Sequence, residues 1–414
     1  MSSPPFFYPI LLYYRGDTQS FSYRIFMHIG INGRFLAQSY TGIGQVTRFG
    51  LEAILRSIGA AHTWTVYTTV PSTDERLTWL QSYPTVGVQL VRSRWTRADR
   101  IERYLWEAYA LPAAVEADSC EAFLSLYQAP TRLPESIHHT MLVHDVIPVM
   151  PQYRDFYGWK DALYQTSVVR GIRNASAAVA VSEWTADTLH ALNLREITES
   201  IAVAYPGVNP VFQTESSATA LDLLRAKYQL PGAYLYHGGG FERRKNAESV
   251  LRGYSAYRVL CQAAGLHALP LILSGRLHQG NPNATDVVAL VQELGLGESI
   301  RVLGEVLDTD LPALYAGATL FVYPSLAEGF GLPVLEALYC GVAVLSSGTT
   351  ALPEVGGTVV TYLVNPDDVD EIAKKILAIV HEGESRQEKS VLENQARKFT
   401  WENFVHKIIT TLIP

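Results

Sequence analysis

The 414-residue chain has room for two ordinary domains, and 48% hydrophobic with 18% charged residues describes a globular protein, excluding disorder and collagen-like repeats. Its 33 Lys and Arg against 40 Asp and Glu leave a net charge of −7, a poor balance for neutralising nucleic-acid phosphates, so no nucleic-acid partner is expected. Cys120, Cys261 and Cys340 lie far apart and outside any CxxC, which argues against a disulfide framework or a structural zinc and suits a reducing cytoplasm.

Residues 1–26 contain an apolar run, Phe6–Tyr14, with no basic segment before it and no small-residue cleavage site after it. That run is too short to span a bilayer, and no other stretch is long and apolar enough without a charge or a breaker. Met27 opens MHIGINGRF, the pattern of a first α/β strand. Residues 1–26 therefore read either as an N-terminal extension or, at Tyr23–Phe26, as a lengthening of that strand.

From Met27 onward, short apolar runs alternate with helical patterns, which predicts parallel sheets with crossover helices. Strands are expected at 25–31, 64–69, 87–91, 122–126, 140–144, 177–181 and 201–204, and helices at 43–58, 100–117, 155–173 and 183–191. Tyr205-Pro-Gly-Val-Asn-Pro210 and the polar run Gln213–Thr219 read as a linker. The alternation then restarts, with strands at 233–237, 269–273, 299–302, 318–322, 342–345 and 359–363. Between these lie helical patterns at 246–263, 284–294, 310–316, 332–340 and 367–381. Phe399–Leu412 is a last amphipathic helix, with Phe399, Trp401, Phe404, Val405, Ile408 and Ile409 on its apolar side. The fold class is α/β: two Rossmann-like, doubly wound parallel-sheet domains, 27–210 and 211–398, facing across a cleft.

The most informative stretch is Pro324-Ser-Leu-Ala-Glu328-Gly-Phe-Gly331-Leu-Pro333-Val-Leu-Glu336-Ala. A buried strand ends in a glycine-rich turn, and Pro333 suits the first turn of a helix. The N–H groups of Phe330, Gly331 and Leu332 would face outward at that helix N-terminus, ready for an anion or sugar hydroxyls. Glu328 on the loop and Glu336 in the second turn can approach one ligand from different heights.

This stretch resembles the retaining GT-B glycosyltransferases of glycosyltransferase family 4 (glycosyl transferases group 1), through the E-x7-E pair Glu328/Glu336 within SLAEGFGLPVLEA. The resemblance implies that Glu328 lies against the donor sugar and that Glu336 binds the ribose hydroxyls. It also implies a final segment, 399–414, that packs back on the N-terminal domain.

A second motif is His237-Gly-Gly239-Gly240-Phe-Glu-Arg243-Arg244-Lys245-Asn246. Its glycines let the backbone come close, and its cations can meet a diphosphate. A leaving nucleoside diphosphate gains charge as the glycosidic bond breaks, so preorganised Arg and Lys matter most in the transition state. The resemblance places Arg244 and Lys245 on that diphosphate. Many relatives carry Gly-Arg where this chain has Gly238-Gly239, so Arg243 or Arg244 is expected to replace the missing arginine.

In the first half, Ser39-Tyr-Thr-Gly42-Ile-Gly44 lacks full GxGxxG spacing and is weak as a dinucleotide fingerprint. By itself it reads equally as tight-turn glycines, but it is similar to the family's TGIG loop, near the donor phosphate and the acceptor. Met141-Leu-Val-His144-Asp145 puts His144 at the end of a buried strand, facing the cleft. By resemblance it contacts a sugar rather than acting as a general base. The family's usual proposal is front-face attack assisted by the leaving phosphate. Glu328 as a nucleophile, by glycosidase-like logic, is the alternative. Ser182 is expected to cap a helix, and Tyr205-Pro-Gly207-Val208-Asn209 is similar to the family's hinge, so the resemblance spans roughly 27–412.

Three signals are discounted. Asp308-Thr-Asp310 has DxD spacing but precedes a helical pattern, so helix capping is expected, with no metal and no cofactor. His138-His139 lacks companions at ligand spacing and reads as a loop feature. Arg92, Arg94, Arg97, Arg100 and Arg103, with Trp95, Tyr104 and Trp106 among them, read first as a solvated helix face with buried tryptophans and second as a contact for anionic lipid or a polyanionic acceptor.

The expected catalytic set is Glu328, His144, Lys245 and Arg244, and the expected donor set is Gly42, Gly44, Gly239, Gly240, Arg243, Phe330, Gly331, Leu332 and Glu336. The implied activity is retaining transfer of a hexose from a nucleotide-diphosphate sugar, UDP-glucose set ahead of GDP-mannose, to a sugar or lipid-linked acceptor. Aromatic-rich loop 145–160 would offer surfaces for acceptor sugars. A non-catalytic sugar-nucleotide-binding partner of a polysaccharide assembly complex is the rival class. The expected location is the cytoplasm, with peripheral contact at the inner membrane surface.

Overall fold

Thirteen short strands form two sheets in a computed structural model that describes residues 26–38, 41–93, 99–157, 159–195, 201–213, 218–384 and 387–413. The extension at 1–25 lies outside the described residues, as do Ser39, Tyr40 and the arginines at 94 and 97. The first sheet holds β1 (His28–Asn32), β2 (Thr63–Thr68), β3 (Val86–Leu90), β4 (Ala122–Ser125), β5 (His138–Val143), β6 (Ala177–Ala180) and β7 (Ala202–Val203), in the order β3-β2-β1-β4-β5-β6-β7. The second holds β8 (Leu235–His237), β9 (Leu271–Leu273), β10 (Ile300–Val302), β11 (Leu320–Tyr323), β12 (Val344–Ser347) and β13 (Thr361–Leu363), in the order β10-β9-β8-β11-β12-β13. All pairings between these strands are parallel.

The central strands are buried on both faces, as in β4, β8, β11 and β12, which is why they read as unbroken apolar runs. The helices that cover the first sheet are α1 (Gly42–Ile58), α2 (Asp99–Leu105), α3 (Leu111–Ala117), α4 (Trp159–Asn174) and α5 (Glu183–Ala191). Those around the second are α6 (Ala218–Tyr228), α7 (Ala247–Ala263), α8 (Val287–Glu293), α9 (Leu311–Ala316), α10 (Leu332–Tyr339), α11 (Leu352–Gly356), α12 (Val369–Leu377) and α13 (Lys389–Ala396). The chain closes with α14 (Trp401–Leu412). No helix among the described residues is long and apolar enough to cross a membrane.

Strand order reverses between β1 and β4 in one sheet and between β8 and β11 in the other. At such a switch point the connections leave in opposite directions and open a crevice at the carboxyl ends of the strands. The Gly-rich turn after His237 and the Glu328 loop after Tyr323 both open from the second of these points.

Helix α14 packs on α1 and beneath the first sheet. His138 Nε2 donates to the Thr411 carbonyl at 2.9 Å, and Trp401 Nε1 donates to the Val208 carbonyl at 2.9 Å. Phe404, Val405, Ile408 and Leu412 form its buried stripe. A methyl group on Gly50 of α1 would lie 2.9 Å from the Phe404 ring, so the glycine makes room for this docking.

The elements follow the sequence pattern closely, with three additions. Helices α6, α11 and α13 were not expected: α6 directly follows the polar run read as a linker, and α11 and α13 are short with few apolar residues. Short helices of this kind draw their stability from tertiary contacts, here Leu224 in α6 and Leu392 and Ala396 in α13. His138 and His139 are corrected from a loop to the start of β5, where His139 is buried against Ser125 Oγ at 3.1 Å.

Candidate active site

The turn after β8 runs through three glycines, and Gly239 and Gly240 take φ of 92° and 107°, a region that disfavours any side chain. A methyl on Gly239 would also lie 2.9 Å from Pro333 at the start of α10. This turn brings Arg243–Lys245 back toward the end of β11. Asn246, in the left-handed region at φ 60°, fixes the turn by donating from Nδ2 to the carbonyls of Pro324 at 3.2 Å and Pro366 at 2.9 Å.

Around Glu328 the two motifs become one site. Glu328 Oε1 accepts from Lys245 Nζ at 2.7 Å and from the Tyr323 hydroxyl at 2.7 Å, and Ser325 Oγ lies 2.8 Å away. Glu328 Oε2 accepts from Arg244 Nη1 at 2.8 Å. Lys245 also donates to Tyr323 Oη at 2.6 Å. Burial works against charge on Glu328, but Arg244 and Lys245 outweigh it and hold the carboxyl well below the usual carboxylate range. The Lys245 pKa also falls, for the opposite reason: burial and the neighbouring guanidinium disfavour its charge and pull it below an ordinary lysine. Two cations thus share one anion here, with the carboxyls of Asp145 and Glu242 as further acidic neighbours.

The loop that follows presents backbone donors. Among the described residues, nothing accepts from the N–H groups of Phe330, Gly331 or Leu332. They open α10, with Pro333 in its first turn and no side-chain cap. The Glu328 N–H is held by Thr350 Oγ1 at 3.0 Å, and Thr350 pays for this with φ of 55°, unusual for a β-branched residue. Glu336, buried in the second turn, accepts from the Tyr315 hydroxyl at 3.0 Å. Burial pushes its pKa up to about 8, against that hydrogen bond and with Asp308 adding to the rise.

Residues 232–399 match the family model described as glycosyl transferases group 1. The serotype-specific mannosyltransferase WbdA of Escherichia coli is 33% identical over 279 residues, which cover 64% of this chain and 32% of that protein. The C-terminal domain is thus similar to the glycosyl transferases group 1 family. The O-antigen chain mannosyltransferase B of Escherichia coli is 43% identical over 191 residues, covering 45% of this chain and 48% of that one. The chain thus spans less than half the length of these two curated relatives. Sucrose-phosphate synthase from Thermosynechococcus elongatus shares the fold with a TM-score of 0.70 at 18% identity, over 93% of this chain and 98% of that chain. Anabaena HepE in complex with UDP and glucose does so at 0.68 and 17%, over 93% and 99%.

The N-terminal domain reaches the site from several loops. Gly42 opens α1 with Thr41 as N-cap, Thr41 Oγ1 accepting from Gly44 N at 3.0 Å, and a methyl on Gly42 would lie 3.7 Å from Leu332 Cδ1 across the cleft. His144 follows β5 directly. Its Nε2 donates to the Leu126 carbonyl at 2.8 Å, which leaves Nδ1 as an acceptor, and burial lowers its pKa to about 4. Such an imidazole is neutral and weakly basic, suited to accept from a hydroxyl. Phe330 turns its ring into the core against Tyr205 and Phe399, so only its backbone is available to a ligand. Arg243 lies apart from Glu328, its guanidinium 5.7 Å from the Phe156 ring.

Four residues of the site were not singled out from sequence: Tyr323, Asp145, Tyr153 and Tyr157. The Asp145 carboxyl stands near Arg244, Lys245 and Glu328, and burial raises its pKa although Arg244 opposes the rise. Tyr153 donates to the Leu326 carbonyl at 3.2 Å, and Tyr157 lies near Asp145, Arg244 and Glu328. The His144-Asp145 pair and the aromatic loop were the available signals.

Two expectations are corrected. Asp310 does not cap α9 with its side chain; its carboxylate accepts from Lys227 Nζ at 2.5 Å and the Tyr228 hydroxyl at 2.7 Å, both on α6. Arg103 is not on a solvated face, whereas Trp106 is buried as expected. Arg103 Nε donates to the fully buried Glu107 at 3.0 Å, and Trp106 donates to the Val91 carbonyl at 2.9 Å.

Proposed function

We propose that this glycosyltransferase moves a mannosyl group from GDP-mannose to a saccharide or lipid-linked saccharide acceptor, with retention, during assembly of a bacterial surface polysaccharide. The observation that carries the reading is the pairing of Arg244 and Lys245 on Glu328, set beside the free N–H groups of Phe330–Leu332. A diphosphate meets Lys245 and Arg244, and their charge stabilises the leaving group as the anomeric bond breaks. Glu328 holds the two cations in place and offers its remaining acceptor capacity to donor hydroxyls. Tied up by four donor groups, it is a poor nucleophile, which favours front-face attack with the leaving phosphate taking the acceptor proton. Because the two cations supply the countercharge, the proposed reaction uses no metal and no cofactor.

Mannose is placed ahead of glucose because the two Escherichia coli relatives are mannosyltransferases, which reverses the order set from sequence. The same relatives point to polysaccharide as the product class. The acceptor would lie on Gly42–Gly44, His144 and the loop carrying Tyr153 and Tyr157. Peripheral membrane contact through a lipid-linked acceptor belongs to this reading.

A thermal-shift panel with UDP, GDP, UDP-glucose and GDP-mannose tests it, since a ligand of the folded state raises the melting temperature. GDP and GDP-mannose are expected to give the largest shifts, with slow hydrolysis of GDP-mannose by the purified chain. Larger shifts with UDP and UDP-glucose would restore the glucose donor, and binding without any turnover would favour the non-catalytic rival.

A further inference from the structure

The first turn of α5 is completed by the opposite domain. A helix leaves its leading N–H groups without intrahelical acceptors. In α5, Ser182 Oγ accepts from Thr185 N at 3.1 Å, and the Ser182 carbonyl accepts from Ala186 N at 3.1 Å. The two remaining donors leave the domain altogether: Glu183 N reaches Glu354 Oε2 and Trp184 N reaches Glu354 Oε1, each at 2.8 Å. Glu354 lies on α11, so a carboxylate of the donor-side domain sits at the positive end of a helix of the acceptor-side domain.

This contact is tied to the site by two routes. The hinge residue Tyr205 donates its hydroxyl to Glu354 Oε2 at 3.0 Å, while its ring packs on Phe330. Helix α11 also presses on the donor loop, since a methyl on Gly331 would come within 2.8 Å of Leu352 Cδ2. Beside it, Ser182 Oγ donates to the Gly329 carbonyl at 2.6 Å, and Gly329 faces the His144 carbonyl so closely that a methyl there would lie 1.8 Å from its oxygen.

We propose that Glu354 is a positioning residue, a latch that holds the domains in the arrangement where the Glu328–Leu332 loop meets His144 and Asp145. Its effect on turnover rests on the glycosyl-transfer reading; its effect on domain arrangement does not. When the cleft opens, water replaces Glu354 at the Glu183 and Trp184 amides, so the contact biases an equilibrium without being required for folding. On the proposed reading the charged groups that meet the nucleotide, Arg244, Lys245, Glu328 and Glu336, all belong to the C-terminal domain, so the latch acts on turnover more than on nucleotide affinity.

The test uses Glu354→Ala and Glu354→Gln in the full chain. The Ala variant is expected to show a larger radius of gyration by small-angle scattering and faster hydrogen exchange at the α5 N-terminus. GDP affinity should stay within about twofold while kcat falls on the order of 10- to 100-fold, the usual scale for misplacement of reacting groups by about 1 Å. The Gln variant keeps both the side-chain length and one acceptor, and should recover part of kcat. Unchanged scattering and exchange in the Ala variant would overturn the latch. An opened variant with full kcat, or one that loses GDP binding, would overturn its positioning role. Should the parent chain transfer no sugar, the functional reading fails, and scattering and exchange still decide whether the latch exists.

Discussion

Replacing Glu336 with Gln should stabilise the protein, and by an amount that grows with pH. Folded Glu336 keeps its proton up to about pH 8, whereas an ordinary glutamate releases it near 4.5. Between those values unfolding lets the proton go, so stability falls as pH rises through this window and levels off above it. At about 1.4 kcal/mol per pH unit, burial of Glu336 costs about 3 kcal/mol at neutral pH. Gln carries no charge and still offers a carbonyl to the Tyr315 hydroxyl, so it escapes that cost. For a domain of this size the difference corresponds to roughly 6–12 °C in Tm. Calorimetric melts of both forms from pH 5 to pH 9 measure it. The curves should coincide near pH 5 and diverge toward pH 8. A gap independent of pH would refute the reasoning, since Glu336 would then already be ionised and solvated at neutrality. A second consequence concerns the ligand: ribose hydroxyls need an acceptor, so nucleotide binding to the parent near pH 7 should release a proton. Titration calorimetry in buffers of different ionisation enthalpy detects that release, and Glu336→Gln should abolish it.

Lys245→Ala should reduce donor turnover at least about 100-fold and, by breaking a buried ion pair, cost about 3–5 kcal/mol, eased by the donors that Arg244, Tyr323 and Ser325 retain on Glu328. Steady-state kinetics beside denaturant melts check both, and full activity would sink the diphosphate assignment. Gly329→Ala should hold the cleft open, because its methyl would lie 1.8 Å from the His144 oxygen; kcat should collapse while nucleotide affinity, read by titration calorimetry, survives. Phe404→Ala removes a fully buried ring between α14 and Gly50 and should cost about 3–5 kcal/mol in urea unfolding.

Much of the fold was legible because its signals are local. Runs such as Leu320–Tyr323 had to be buried strands, Ser182 caps the helix that follows it, and Gly239–Gly240 sit where only glycine is comfortable. The E-x7-E loop and the Arg-Arg-Lys turn were likewise visible, since each lies within a few residues of one strand end. The sequence could not say that Arg244 and Lys245 close on Glu328, more than eighty residues away, rather than standing free in a loop. Nor could it show Asp145 and Tyr157 beside that cluster, or Glu354 capping a helix of the other domain. Helices α6 and α13 escaped notice for a related reason, being stabilised by what they touch rather than by their own pattern. Periodicity and turn chemistry act over one element, so the sequence alone determined most of the elements and the motif loops. Distances between loops depend on how two sheets stack and twist, so only the tertiary structure decided which charges meet and how the two domains hold each other.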